Sequence, residues 1–260
     1  MPTVSVDDAT VYYSTAGRGP GLVLVHGTQG TGETNWAHLT EGFADVRTVV
    51  ALDYAGSGRT TDDGGELTVE KLSDEVAAVA EAAVDGPVDV VGFSLGAVVA
   101  AATAARRPDL VRRLVVLAGW PHGDDSRHRL NFELWRDLAA SDFATFNRFA
   151  TLTGFTDEFL RALGHEGVAE ALAASAPQPG LVRQIELDLR ADIRDLLPKI
   201  TAPTLVVGFT RDQMVPVQGS RGLHAAISGS SYAELDSGHL AIYEKPVELT
   251  ELIREFVLSG

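Results

Sequence analysis

Cysteine is absent from this chain, which excludes a disulfide framework, a Cys-ligated metal and a thiol nucleophile. Positive charge is scarce: 21 Lys and Arg stand against 36 Asp and Glu, for a formal charge of −15. So acidic a surface argues against nucleic acid or an anionic membrane as a partner. No apolar run approaches the roughly 18–20 residues that span a bilayer. The stretch from Met1 to Asp8 carries neither a basic leader nor an apolar segment. A soluble, cytoplasmic protein is the expectation. The remaining composition is ordinary, with 45% hydrophobic and 22% charged residues over 260 positions, enough for one large core. No internal repeat or low-complexity tract interrupts the chain.

One stretch organises the rest: Gly92-Phe93-Ser94-Leu95-Gly96. An apolar run at 88–91 precedes it and a small-residue segment at 97–105 follows, so the pattern predicts a buried strand, a sharp bend and a helix. A serine at such a bend sits in a strained conformation with its hydroxyl exposed at the sheet's C-terminal edge. Residues two before and two after it crowd the bend, which suits Gly92 and Gly96. The helix beginning at Leu95 aims free N–H groups at the same spot, favouring a developing negative charge. The five-residue pattern alone is a weak signal in a chain with 26 glycines; its partners decide its value.

Residues 3–6 and 10–14 predict an antiparallel hairpin. Leu22-Val23-Leu24-Val25 is a continuous apolar run typical of a strand buried on both faces, and it ends in the polar loop His26-Gly27-Thr28-Gln29-Gly30. Trp36, Leu39 and Phe43 recur at helical spacing. A second buried strand at 46–53 closes in Tyr54-Ala55-Gly56-Ser57-Gly58. A helix capped at Thr68 carries Leu72, Val76, Val79, Ala80 and Ala83, and a strand at 114–118 follows the elbow helix. This alternation predicts a mainly parallel sheet with right-handed crossovers. The rhythm breaks between 121 and 189, where only helical stretches appear: 132–140, 143–152, 156–163, 168–174 and 181–189. Six of the ten Phe residues lie there, together with Trp135. Alternation resumes with residues 193–200, strands at 204–208 and 232–235, and a closing helix opened by Pro246.

A serine nucleophile needs a base, and the base an orienting acid, both at C-terminal strand ends where the loops face the elbow. Of seven histidines only His239 follows a late strand in a Gly-containing loop. His26 reads as shaping the first loop. His38, His122, His128, His165 and His224 read as solvated helix or loop residues. Asp212 follows the strand at 204–208 and is the choice for the acid. Asp53 lies several elements before the serine, and Asp236 is too near His239 in sequence to grip it from a separate loop. After the 114–118 strand no acid appears before Asp124. Phe93 and Trp120 are candidates for the pocket wall or for plain core packing. Arg127, Arg129 and Arg148 read as surface cations.

With these residues in view, the chain resembles the α/β-hydrolase-fold proteins. The resemblance rests on His26-Gly27, Asp53…Gly56-x-Gly58, the 92–96 elbow, Ala202-Pro203-Thr204…Gly208…Asp212, Gly238-His239, and the chain order Ser, Asp, His. It implies an α/β fold: about eight mostly parallel twisted strands flanked by helices. A helical lid, 121–189, would be inserted after strand 6, between core segments 1–120 and 190–260. The backbone N–H groups of Thr28 and Leu95 would form the oxyanion hole, a role that leaves both side chains unconstrained. Phe93, Trp120 and Trp135 would line the pocket. Ser94, Asp212 and His239 would attack a small-to-medium, largely apolar acyl substrate without cofactor or metal. The resemblance reaches the lidded subgroup of carboxylesterases, enol-lactonases, C–C bond hydrolases and cofactor-free haloperoxidases. Ester, lactone and thioester cleavage all fit. C–C hydrolysis, acyl transfer or cyclisation with the same triad, and ligand binding without turnover, are the alternatives. Substrate and oligomeric state stay open.

Overall fold

The computed structural model describes residues 2–259. Among them, eight strands form one sheet: β1 (Thr3–Val6), β2 (Ala9–Gly17), β3 (Gly21–Val25), β4 (Thr48–Asp53), β5 (Val88–Phe93), β6 (Val111–Leu117), β7 (Thr204–Phe209) and β8 (Ser231–Leu235), in the order β1-β2-β4-β3-β5-β6-β7-β8. β2 runs antiparallel to β1 and β4, and every other pairing is parallel. The central strands are mostly apolar because helices cover both faces; charged exceptions include Asp89 on β5 and Arg112 and Arg113 near the start of β6. Successive side chains alternate between the two cores, as strand geometry requires. Val23, Val25, Val88 and Val90 point into one; Leu22, Leu24, Val91 and Phe93 into the other.

The first face is covered by α2 (Val69–Ala83) and α3 (Leu95–Arg106), through Leu72, Val76, Val98 and their neighbours. On the second lie α1 (Gly32–Ala44) and α10 (Pro246–Leu258), which bury Trp36, Leu39, Phe43, Leu249 and Ile253. Each fully buried Leu, Ile or Phe contributes roughly 1.5–3 kcal/mol before chain entropy is set against it. α1 starts at a reciprocal cap, Thr31 with Thr34, and α2 at Thr68, whose side chain accepts from the N–H of Lys71. Between β6 and β7 lie four helices, α4 (Ser126–Ser141), α5 (Phe143–Gly154), α6 (Asp157–Ala174) and α7 (Leu181–Arg190). α8 (Gln218–Ala226) and α9 (Ala241–Glu244) complete the chain. No described helix is long and apolar enough to cross a membrane.

Several expected boundaries are corrected. β2 runs beyond 10–14 because it pairs with β1 at one end and with β4 along most of its length. Val46 belongs to a turn rather than to β4, its N–H bonded to the Phe43 carbonyl. The helices expected at 156–163 and 168–174 are joined in α6 across a break at Gly164 (φ 68°, ψ 179°). The segment 193–200 holds only a short helical turn, Leu197–Lys199, since Pro198 has no N–H to continue a ladder. α8 lacks the apolar stripe that would have revealed it, burying only Ser220 and Leu223.

Candidate active site

The central parallel strands end at neighbouring levels: Val25 opposite Gly92, Phe93 opposite Leu117, Leu117 opposite Val207, and Phe209 opposite Leu235. The loops that follow converge above the end of β5. There Ser94 takes φ 56° and ψ −121°, a region a non-glycine residue rarely occupies. The surroundings hold it: its N–H is bonded to the Leu117 carbonyl at 2.9 Å, and its own carbonyl accepts from Ala97 at 2.9 Å. A Cβ at Gly92 would lie 2.1 Å from the Gly96 carbonyl oxygen, and one at Gly96 would lie 2.3 Å from that of Val25. Both glycines are therefore required by close approach.

The structure brings Ser94, His239 and Asp212 together. His239 Nε2 is 3.0 Å from Ser94 Oγ, and its Nδ1 is 2.6 Å from Asp212 Oδ2. Asp212 Oδ1 accepts the backbone N–H groups of Met214 and Val215, each at 2.8 Å. All three residues are buried. A carboxylate so gripped fixes the imidazole with its proton on Nδ1 and a bare Nε2 toward the serine. The His239 loop is clasped by Glu244, whose Oε2 accepts from Ser237 Oγ at 2.8 Å and from the Gly238 N–H at 3.1 Å. Gly238 packs against residues 154–156, and a Cβ there would come within 2.6 Å of the Gly154 carbonyl oxygen.

Across the elbow, the Gly27 backbone lies so near that a Cβ would touch the Ser94 Cβ at 3.0 Å. The Thr28 N–H has no acceptor among the described residues, and Leu95 stands at the first position of α3, where an N–H has no partner within the helix. Phe93 lies with its ring 5.0 Å from that of His239. Trp120 and Trp135 belong to a run of aromatic rings with His128, Phe132 and Phe146; both are buried, and their indole N–H groups have no partner among the described residues.

His26 stays outside the hydrogen-bonded set, with Nδ1 on the Gly27 carbonyl at 2.8 Å and its ring stacked on Tyr54 at 3.9 Å. Burial lowers its pKa to about 4, so it is neutral and shapes its loop. Asp53 holds backbone, accepting from the Gly32 and Arg59 N–H groups. His128 corrects the expectation of a solvated residue: it is buried, with Nε2 2.9 Å from the Asp188 carbonyl oxygen. Arg129 pairs with Glu133, Arg127 bonds the Gln213 carbonyl, and Arg148 is exposed.

The side chain of Thr28, left unconstrained by the resemblance, is in fact held. Its Oγ1 lies 3.0 and 2.8 Å from the two carboxyl oxygens of Asp188, which is fully buried on α7. Beside it, Gln184 Oε1 accepts the Gln29 N–H at 3.0 Å, and Gln184 Nε2 donates to Ser57 Oγ at 2.6 Å. Sequence reasoning missed both residues. The signal lay in their spacing: 184 and 188 fall on the same helical stripe as Leu181 and Ile185, where a polar side chain must find a buried partner.

Residues 20–246 match the alpha/beta hydrolase fold family. The chain belongs to it. Over its whole length it is 45% identical to the pyrrolizixenacetamide deacetylase of Xenorhabdus hominickii, covering 98% of that protein. It is 31% identical to the pimeloyl-acyl-carrier-protein methyl ester esterase of Xanthomonas campestris pv. campestris strain B100, over 94% of this chain and 97% of that one. Among solved structures, the enol-lactonase of Burkholderia xenovorans LB400 superposes with a TM-score of 0.88 at 21% identity, over 99% of this chain and 100% of the other, a likeness of fold. Hydrolysis is what the activities named for these relatives have in common.

Proposed function

We propose that the protein is a serine hydrolase that removes a small acyl group from an amide or ester by way of an acyl-enzyme on Ser94. The observation that carries this reading is the hydrogen-bonded line Ser94–His239–Asp212, with an unpartnered N–H at Thr28 across the elbow. As Ser94 Oγ attacks the acyl carbon, His239 Nε2 takes the hydroxyl proton. The carbonyl oxygen gains charge opposite the N–H groups of Thr28 and Leu95. Collapse of the tetrahedral adduct returns the proton from Nε2 to the leaving nitrogen or oxygen, and water repeats the cycle on the acyl-serine. An amide leaving group departs only when protonated, so the His239 proton matters more for amides than for esters.

Ester, lactone and thioester cleavage all draw on this machinery; the 45% identical deacetylase adds amides and favours a short acyl group. We assign α4–α7 the role of a lid, because Gln184 and Asp188 of α7 hold the 28–29 loop and the Thr156 N–H, at the start of α6, donates to the Glu244 carboxylate that clasps the His239 loop. The test compares N-acetyl, N-butyryl and N-octanoyl 4-nitroanilides with the matching 4-nitrophenyl esters. The reading expects turnover of acetyl substrates of both kinds, a fall in kcat/KM with chain length, and none in Ser94→Ala. Turnover that survives Ser94→Ala would contradict it.

A further inference from the structure

Asp188 is a carboxyl group with no cation. Both its oxygens lie within hydrogen-bond distance of one atom, Thr28 Oγ1, and its side chain has no other hydrogen-bond partner among the described residues. The groups around it supply no positive charge. Tyr54, whose hydroxyl is buried without a partner, is near enough to interact electrostatically, and His128 contacts only the backbone carbonyl of residue 188. An ionised carboxylate in that position would be buried and uncompensated, a state proteins avoid by keeping the proton on. Burial accordingly raises the Asp188 pKa well above the ordinary carboxylate range, and the Thr28 contact opposes this only in part.

The count of protons on Thr28 then decides its role. A threonine hydroxyl has one hydrogen and two lone pairs. Facing a carboxylate, it would spend its hydrogen on Asp188. Facing a carboxylic acid, it accepts the acid's O–H and keeps its own hydrogen to donate elsewhere. Thr28 is half-buried while Asp188 is fully buried, and Oγ1 has no hydrogen-bond partner other than Asp188 among the described residues, so its hydrogen is left for a bound group. The loop that carries Thr28 meets the nucleophile one residue earlier, where a Cβ at Gly27 would lie 3.0 Å from the Ser94 Cβ, and the Thr28 N–H is unpartnered among the described residues.

We propose that the Thr28 hydroxyl is a third donor to the oxyanion formed at Ser94, and that Asp188 of α7 is the positioning residue that holds this hydroxyl from behind as a hydrogen-bond donor. The inference rests on the serine-hydrolase reading above. Its consequence is that the oxyanion site is complete only while α7 is seated on the 26–30 loop. The line Asp188 O–H to Thr28 Oγ1–H to oxyanion is polarised as charge develops, which strengthens both bonds together. Because Asp188 fixes the Thr28 rotamer in advance, no reorganisation is needed at the moment of reaction.

The experiment measures 4-nitrophenyl acetate kinetics and inhibition by an aryl trifluoromethyl ketone, which adds to serine as a tetrahedral hemiketal. Ser94→Ala serves as the control. Thr28→Val is expected to lose about 100-fold in kcat and to weaken the ketone's Ki by a similar factor, with KM changed less than about threefold. Thr28→Ser is expected to regain most of that loss. Asp188→Asn, whose amide can still donate to Oγ1, should stay within about tenfold of wild type, while Asp188→Leu should fall to the level of Thr28→Val. A Thr28→Val enzyme with kcat within threefold of wild type overturns the proposal. So does a loss confined to KM and thermal stability with the ketone unaffected, the mark of a structural tether alone. An Asp188→Asn enzyme as impaired as Thr28→Val overturns the role given to Asp188. If Ser94→Ala retains activity, the serine-hydrolase reading fails first and this inference with it, a result distinct from the other three.

Discussion

Replacing Asp212 by Asn tests the site through the one atom that changes. In the native site the carboxylate has two separate tasks: Oδ1 receives the N–H groups of Met214 and Val215 at 2.8 Å each, and Oδ2 receives His239 Nδ1 at 2.6 Å. Asparagine has a single oxygen. Turned to face His239, that oxygen would leave the amide NH2 against two buried N–H donors; two bonds would be lost, with a penalty of about 1–3 kcal/mol for each stranded group. Turned the other way, the oxygen keeps both backbone bonds and the NH2 faces Nδ1. The imidazole must then accept at Nδ1 and carry its proton on Nε2, aimed at Ser94 Oγ 3.0 Å away, where a base is needed. The second arrangement costs less folding free energy, so the variant should fold normally with the wrong tautomer. The expected loss in kcat is about 10³–10⁴-fold, or ~4–5.5 kcal/mol at about 1.4 kcal/mol per decade, with KM and Tm little changed. Steady-state turnover of 4-nitrophenyl acetate beside a thermal melt reads this directly. A folded Asp212→Asn enzyme within tenfold of wild type would show that the acid lies elsewhere.

Other sites give sharper statements about stability. Gly92→Ala puts a Cβ 2.1 Å from a backbone carbonyl oxygen and 2.7 Å from the Ala100 Cβ, so a loss of about 3 kcal/mol or more is expected; a melt shifted by under 3 °C would contradict it. Asp89 is fully buried and bonded to Arg112, with the buried Arg47 at 3.4 Å, so Asp89→Ala strands Arg47 and should cost about 3–5 kcal/mol in urea unfolding; a change under 1 kcal/mol would refute the pairing. Glu75 is buried, accepts the Ala55 N–H at 2.8 Å, and desolvation raises its pKa from 4.5 to about 7. The folded state therefore binds the proton more tightly than the unfolded chain, and this group lowers stability as pH rises through that window, by about 3 kcal/mol in all. Glu75→Gln should flatten the decline of Tm between pH 5 and 8, and an unchanged slope would contradict this.

Much of the fold was legible because the central strands are apolar on both faces. Leu22-Val23-Leu24-Val25 and the run before Gly92 can sit only inside a covered sheet. The elbow was legible because two glycines are forced by contacts at 2.1 and 2.3 Å, and His239 and Asp212 by their places at strand ends. What escaped was decided by tertiary context. α8 buries too little to leave a periodic trace, and α6, with no buried residue, reads as two helices until its break at Gly164 is seen as a kink. His128 resembles a surface histidine until α4 packs on α7 and gives Nε2 the Asp188 carbonyl. Asp188 and Gln184 are polar residues on an apolar stripe, a pattern that announces a buried partner without naming it. The partner, the 28–29 loop, is roughly 155–160 positions away in sequence.

The claim on which the account turns is that the hydroxyl of Ser94 is activated and its neighbours are not. Reaction of the folded protein with a fluorophosphonate, read by intact mass and peptide mapping, measures this most directly. The account predicts one adduct per chain on Ser94, abolished in Ser94→Ala and slowed by orders of magnitude in His239→Ala. An unreacted folded wild type, or an adduct on another serine such as Ser57 or Ser237, would contradict it.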